Sequence, residues 1–352
     1  MKAAVLFKTG EPLRVIDNLV APTLIRGQIK VDIIYTGLCH SQLMEAKGLR
    51  GEDKYLPHLL GHEAVAKVKE IGPQVSKVAI GDIVVLGWIK GEGIDAPGGI
   101  YTYNDIKINA GSVTTFSEES IVSENRVVKL PEGMPLQLAI LLGCALPTGA
   151  GLVLNQLKPK EDTNIAIFGL GGIGLSALIT TTLFKPNKLI AVDIEPEKLE
   201  LAKALGATHC FNANSPTYLE EIKELTSGGC DYTVEAGGTC RSIEAAFEIT
   251  KEQGGECIFA SHPKEGEKIS LEPHAFHRGK KISGSWGGNS NPDSDIPKLV
   301  NLYKEHNLPL DKLLSASYSL DDINNALNDL DERKITRALI SINPQLDPIN
   351  NS

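Results

Sequence analysis

The stretch "TNIAIFGLGGIGLSALITTTLF", residues 163–184, decides the fold. A short apolar run, "IAIF", leads into a glycine-rich turn and then into a run of small and apolar residues that suits a helix. "GLGGIG" at residues 169–174 fits G-x-G-x-x-G, but in a chain of 352 residues with 34 glycines a lone match means little. Its context gives it weight: it follows an expected strand, opens an expected helix, and precedes by 24 residues an acidic residue, Asp193, at the end of the next apolar run, "KLIAVDI". Each glycine then has a task. Gly169 permits the tight turn, Gly171 lets a pyrophosphate approach the backbone, Gly174 lets the following helix pack close to the sheet, and the helix N-terminus, with Gly172 as a further contact, offers free N–H groups to the phosphates. Asp193 would accept hydrogen bonds from the adenosine ribose. A 2′-phosphate there would meet a carboxylate, which favours NAD over NADP, although Lys198 adds a cation one helical turn on.

Working outward, "PEKLELAKALGA" reads as an amphipathic helix opened by Pro196 and stopped by Gly206. "THCFNA", "LEEIKELTSGG", "CDYTVEAGG", "SIEAAFEITKEQGG", "ECIFASH" and "KKISGSWGG" continue the alternation. Strand and helix taken in turn predict a parallel, doubly wound sheet, a Rossmann domain over residues 147–288. Residues 1–146 differ in texture, with short β segments such as "KAAVLF", "IKVDIIYTGL", "AVAKVKEI", "DIVVLGW" and "ESIVSENRVVKL" set between Gly and Pro. Residues 87–111 are polar and Gly-rich and read as a loop. Residues 289–352 carry two helical patterns and a last strand, "RALISI". The fold class is α/β: a β-rich domain plus a Rossmann domain.

Composition narrows the function. A net charge of −9 and no basic run of five residues disfavour nucleic acid. The opening "MKAAVLFKTG" lacks a signal-peptide core, and no apolar run approaches a membrane span, so no membrane role and a cytoplasmic location are expected. Six scattered cysteines in such a chain read as reduced thiols.

Three segments carry chemistry apart from the cofactor turn. "GLCHSQL" holds Cys39, "GHE" places His62 23 residues later, and "LGCALPTGAG" holds Cys144. Singly, each has an ordinary reading, because a lone cysteine is usually a small buried residue. Together, two cysteines and a histidine are ligands that zinc prefers, and three protein ligands with a fourth position open is the catalytic arrangement.

The order Cys-His-Ser, Gly-His-Glu, Gly-Cys-Ala-x-x-Thr-Gly, Gly-x-Gly-x-x-Gly and then Asp resembles the zinc-dependent medium-chain alcohol dehydrogenases over nearly the whole chain. The resemblance implies a GroES-like catalytic domain in residues 1–146, completed by residues 289–352, with the metal in the cleft beside the Rossmann domain. It implies Cys39, His62 and Cys144 as ligands of one catalytic zinc, and Glu63 as a carboxylate able to approach the metal transiently. It also implies Ser41 as the hydroxyl that binds the substrate oxygen and passes on its proton. His40 is implied beside the cofactor pyrophosphate, Thr148 near the nicotinamide, and Arg337 as a second phosphate contact. Such a zinc lowers the pKa of bound water from ~15.7 to ~7; a comparable effect on a bound alcohol gives an alkoxide that loses hydride to NAD. The expected partners are a small alcohol or aldehyde and further copies of the chain, as a homodimer or homotetramer through the "ECIFASH…KKISGSW" edge. Alternative readings are a sugar or polyol dehydrogenase and a non-catalytic NAD-binding protein that kept the fold; the zinc-free quinone reductase branch lacks the Cys/His/Cys set.

The sequence also departs from that family. No cysteine lies between Cys39 and Cys144, which excludes the four-cysteine structural zinc of many members, so residues 87–111 need another source of order, such as packing of "IYTY". Gln42 stands where aspartate usually orients a ligand histidine, and the expectation is a zinc that is weaker-bound or more electrophilic. Met44 cannot shuttle a proton. Cys210, Cys230, Cys240 and Cys257 lack metal spacing, and His274 with His277 lack a third ligand nearby in sequence. His58 reads as a turn or an outer neighbour of the metal segment. Trp88 reads either as core or as a wall that favours slender alcohols.

Overall fold

A computed structural model describes residues 1–348. The chain divides into two compact units, one of Met1–Cys144 together with the C-terminal segment from Asn291, the other Ala145–Ser290.

The second unit is built on six parallel strands in the order His209–Asn212, Lys188–Asp193, Asn164–Phe168, Tyr232–Glu235, Glu256–Phe259, Lys281–Gly284. The chain enters at the third position, winds two strands outward, then returns to the far side of Asn164–Phe168. The strand order therefore reverses between Asn164–Phe168 and Tyr232–Glu235, and open α/β sheets bind ligands outside the carboxyl ends of the strands at such a reversal. The glycine turn sits at the carboxyl end of Asn164–Phe168. Four of that strand's five residues are buried, which is why it reads as a continuous apolar run rather than an alternating one. Its following helix, Gly172–Thr181, is buried from Gly174 onward. Its hydroxyls stay satisfied by bonding back one turn, Ser176 to Gly172 O at 2.6 Å, Thr180 to Ser176 O at 2.8 Å and Thr181 to Ala177 O at 2.7 Å.

The first unit holds two sheets. One follows the order Arg14–Ile16, Ala3–Leu6, His58–Leu59, Ile106–Asn109, Ile100–Tyr103. The other centres on the long strand Gln28–Leu38, which pairs antiparallel with Ala64–Ile71, Glu119–Ser123 and Ala338–Ser341. The last of these pairs Ala338 with Leu38, so the C-terminal strand completes a sheet begun 300 residues earlier. Helix Ile323–Asp331 buries Ile323, Ala326, Leu327 and Leu330 in one core with Leu38, Leu43 and Phe116, which fixes the helix His40–Ala46 that carries "HSQLMEA".

Residues 87–111 are not the plain loop the sequence suggests. They contain a β-hairpin, Ile100–Tyr103 against Ile106–Asn109, turned by Asn104 and Asp105, both at positive φ. Two consecutive left-handed residues match the right-handed twist of the flanking strands, and Asn and Asp tolerate them best after glycine. Tyr101 and Ile108 are fully buried beside Ile121. Helical turns at Leu136–Ala139 and Ile140–Gly143 in the first unit, and at Ala145–Gly151 and Leu152–Leu157 in the second, also lie outside the sequence reading. No single helix among the described residues is long and apolar enough to cross a membrane.

Candidate active site

Cys39 precedes the first turn of helix His40–Ala46, held in extended geometry at the end of the long central strand. His62 follows Gly61, which adopts φ +91° and whose missing Cβ would stand 2.3 Å from Thr115 Oγ1, so only glycine delivers the histidine at this turn. Cys144 sits at the break after the turn Ile140–Gly143, with φ −151° and ψ −71°. The glycines before both cysteines clear space for Glu63: a Cβ on Gly37 would lie 2.4 Å from its Oε1, and one on Gly143 2.8 Å from its Cβ.

These segments bring one donor atom each of Cys39, His62 and Cys144 within 4.8 Å of one another. The two sulfurs are 3.9 Å apart. Zn–S bonds of about 2.3 Å at a tetrahedral angle place two sulfurs about 3.8 Å apart, so the pair is spaced for a shared ion. His62 Nε2 is buried with no hydrogen-bond partner, which is costly unless something binds it. The donor set is soft and borderline, as zinc requires. The residues fit the metal.

The electrostatics are those of a buried charge cluster. The hydrogen bond from Cys144 holds the Cys39 thiol well below its ordinary range, with help from His62, while that same bond and burial push Cys144 well up. Burial works against a charged His62, but the neighbouring Cys39 sulfur, itself held toward the thiolate, outweighs it and raises its pKa. Glu63 is fully buried and raised by burial against the pull of Arg337. Arg337 is 3% exposed, and its guanidinium donates to Glu63 Oε1. The structure thus gives Arg337 a carboxylate partner 274 residues away in sequence, beside the metal ligands. Glu63 Oε2 has no hydrogen-bond partner. Ser41 Oγ, on the same helix as Gln42, is also buried and unpartnered. His40 is exposed on the first turn of that helix, and Met44 is half-buried.

In the second unit the glycine roles separate cleanly. Gly169 adopts φ +82° and a Cβ there would lie 2.4 Å from the backbone of Gly237; one on Gly174 would lie 1.8 Å from Gly169 O; one on Gly171 would meet nothing within 4 Å. The open space at Gly171, where the helix begins with Gly172, leaves room for a phosphate to reach the backbone. Asp193 accepts from Leu170 N at 2.6 Å, Ile194 N at 2.8 Å and Glu195 N at 3.0 Å, which ties its carboxylate to the glycine turn. Lys198 is half-buried on helix Pro196–Ala204. Thr148 is buried with an unpartnered Oγ1.

The remaining residues lie outside the Cys39, His62 and Cys144 set. His58 is buried, with Nδ1 on Leu59 O at 2.9 Å and Nε2 on Asp53 at 2.7 Å. Cys230 and Cys257 are buried among core side chains, with burial pushing both thiols up to about 12. Trp88 is half-buried, and its carbonyl accepts from Arg126.

Comparison with known proteins gives the family. Residues 26–132 match the alcohol dehydrogenase GroES-like domain and residues 172–305 match the zinc-binding dehydrogenase family. Alcohol dehydrogenase 2 of Zea mays is 31% identical over 93% of both chains. The chain belongs to the zinc-dependent medium-chain alcohol dehydrogenases. As a member of that family it is a zinc-containing oxidoreductase with a GroES-like domain and a Rossmann sheet. Benzyl alcohol dehydrogenase from Acinetobacter calcoaceticus superposes with a TM-score of 0.88 at 28% identity, over 97% of this chain and 99% of that one. 2R,3R-butanediol dehydrogenase from Bacillus subtilis does so with a TM-score of 0.77 at 25% identity, over 97% and 99%.

Proposed function

We propose that this alcohol dehydrogenase interconverts a small alcohol and its aldehyde or ketone with NAD, using one zinc per chain held by Cys39, His62 and Cys144. The observation that carries the reading is the convergence of those three donors around an unpartnered, buried His62 Nε2. Zinc bound there supplies a Lewis acid that polarises the substrate oxygen. Two thiolates and a neutral imidazole bring the centre near neutrality, and Arg337 keeps Glu63 turned aside so that a third negative charge does not weaken it. Ser41 Oγ, buried and without a partner, takes the proton of the substrate hydroxyl and passes it outward past Met44, which cannot carry it. The turn at Gly169, Gly171, Gly172 and Gly174 holds the dinucleotide pyrophosphate, with His40 and Arg337 as further phosphate contacts, and Thr148 Oγ1 lies at the nicotinamide end. Asp193 binds the adenosine ribose and repels a 2′-phosphate, with Lys198 moderating that preference.

The likeness to the benzyl alcohol enzyme favours a simple alcohol, and that to the butanediol enzyme supports a diol or polyol as the second reading. The protein works as a homodimer or homotetramer in the cytoplasm, where its ligand thiols stay reduced. The test is elemental analysis with a substrate panel. One equivalent of zinc, NAD reduction with simple alcohols exceeding that with polyols, and loss of both zinc and turnover in Cys39→Ser are expected. Zinc retained at full occupancy by Cys39→Ser would overturn the assignment.

A further inference from the structure

The metal site contains one contact that works against its own metal. Gln42 lies behind His62, its Nε2 3.0 Å from His62 Nδ1. An amide can face either way, so the partners at its other positions decide. The N–H of Gly61 donates to Gln42 Oε1. A backbone N–H is only a donor, which requires the oxygen at that end. Glu45 Oε2 lies 3.4 Å from Gln42 Nε2, and a carboxylate only accepts, which requires the NH2 group at this end. Glu45 stays in place one turn along the same helix, with Arg50 at 3.7 Å and His58 at 4.0 Å. Two independent partners therefore fix the amide in a single orientation, with its N–H directed at His62 Nδ1.

His62 Nδ1 must then accept. The hydrogen bond made by one ring nitrogen sets which nitrogen of a neutral imidazole carries the proton. Here the proton is placed on Nε2, the unpartnered nitrogen that zinc needs. In the usual metal site the outer neighbour is a carboxylate or carbonyl, which takes a proton from the far nitrogen and frees the near one. For His62 to bind zinc as a neutral ligand, Gln42 must turn over or swing away, setting its NH2 against the Gly61 N–H and its oxygen against Glu45.

We propose that Gln42 is a positioning residue that opposes metal capture, so that this chain holds its zinc loosely and exchanges it readily. The inference rests on the zinc site proposed above and concerns the strength of that site alone. The size of the effect follows from what outer neighbours contribute, about 10–100-fold in metal affinity.

The experiment titrates zinc-loaded protein with a chromophoric chelator and reads the zinc dissociation constant. The main variant is the pair Gln42→Glu with Glu45→Gln, which moves one negative charge a single helical turn and changes no shape. Gln42→Asp is the second variant, in case the pair fails to fold. Zinc held about 10–100-fold more tightly than in wild type by whichever variant folds is the expected result. In the same zinc-loaded variants, 15N-labelled histidine should show a proton on His62 Nδ1 bonded to a carboxylate, a signature that a change in packing alone would not produce. One equivalent of zinc in wild type, held no more tightly by either variant, would overturn the inference and leave the proposed function standing. No zinc taken up by wild type at saturating zinc, or full zinc in Cys39→Ser, would instead overturn the function on which it rests.

Discussion

Gly171 and Gly174 are three residues apart in one turn, yet the fold asks different things of them. A methyl on Gly174 would press on the backbone oxygen of Gly169 at 1.8 Å, and no side chain can yield to relieve it. A methyl on Gly171 would meet nothing within 4 Å, and the φ of −79° there suits alanine. Gly174→Ala should therefore lower the thermal midpoint and cost yield of folded protein. Gly171→Ala should leave the midpoint unchanged and weaken NAD binding by about tenfold or more, because about 1.4 kcal/mol of binding is lost for each factor of ten. Calorimetry of folding and of NAD binding on both variants separates the two roles. A Gly171→Ala protein with unchanged NAD affinity would show that the pyrophosphate does not approach that backbone. The same scale explains what sequence reading could and could not reach at the site. The glycine turn shows itself by spacing and context, and Cys39, His62 and Cys144 show themselves only as a set, through ligand type and the family resemblance. The pairing of Glu63 with Arg337 does not, since nothing local ties two residues 274 positions apart.

Elements differ in how openly they declare themselves. The central strands of the parallel sheet, Asn164–Phe168 and Lys188–Asp193, read directly because each is a buried apolar run, whereas His209–Asn212 and Lys281–Gly284 are legible only from the strand–helix alternation around them. The hairpin of residues 100–109 was hidden because each strand is only four residues long and fully buries a single residue, Tyr101 or Ile108, while the apolar Ile100 and Ile106 are exposed. The helical turns of residues 136–157 were hidden because they are buried on most sides and so carry no amphipathic period. The chain leading into the hairpin is ordered by one carboxylate. Glu124 Oε1 accepts from Ser76 N at 2.7 Å and Lys77 N at 2.9 Å, and Oε2 accepts from Ile94 N at 2.8 Å. Burial resists its ionisation, but the three N–H donors prevail and hold its pKa below the ordinary 4.5. A depressed folded pKa means stability that is complete above the unfolded value and lost as pH falls through the folded one. Glu124→Gln turns one acceptor into a donor facing N–H groups, which costs about 1–3 kcal/mol. The variant should melt several degrees lower at neutral pH, and the difference from wild type should shrink as the pH falls below about 4.5. A constant difference across that range would remove Glu124 from the account of how this segment is held without a cysteine-bound zinc.

At the scale of the whole molecule, the parallel sheet leaves an edge open. Strand Lys281–Gly284 pairs on one side with Glu256–Phe259, and three of its four residues are exposed. Trp286, two residues beyond it, is 72% exposed, among the largest apolar surfaces on the chain. A sheet edge with unpaired N–H and C=O groups is a template for another strand, and proteins normally cover it, charge it or pair it. Here Lys281 is drawn sideways to Glu256 at 2.8 Å, so its charge guards the edge poorly. The net charge of −9 limits indiscriminate association without preventing a specific one. Pairing two such edges about a two-fold axis satisfies both backbones with one contact and buries both tryptophans, as an isologous interface requires. Light scattering of the intact protein should therefore give a mass at least twice the 37.8 kDa of one chain, and Trp286→Glu should shift it toward one chain while zinc content stays constant. A wild-type mass of one chain would refute the pairing, and an assembly indifferent to Trp286→Glu would place the contact elsewhere, because a carboxylate buried against its twin at the centre of a two-fold interface cannot be tolerated.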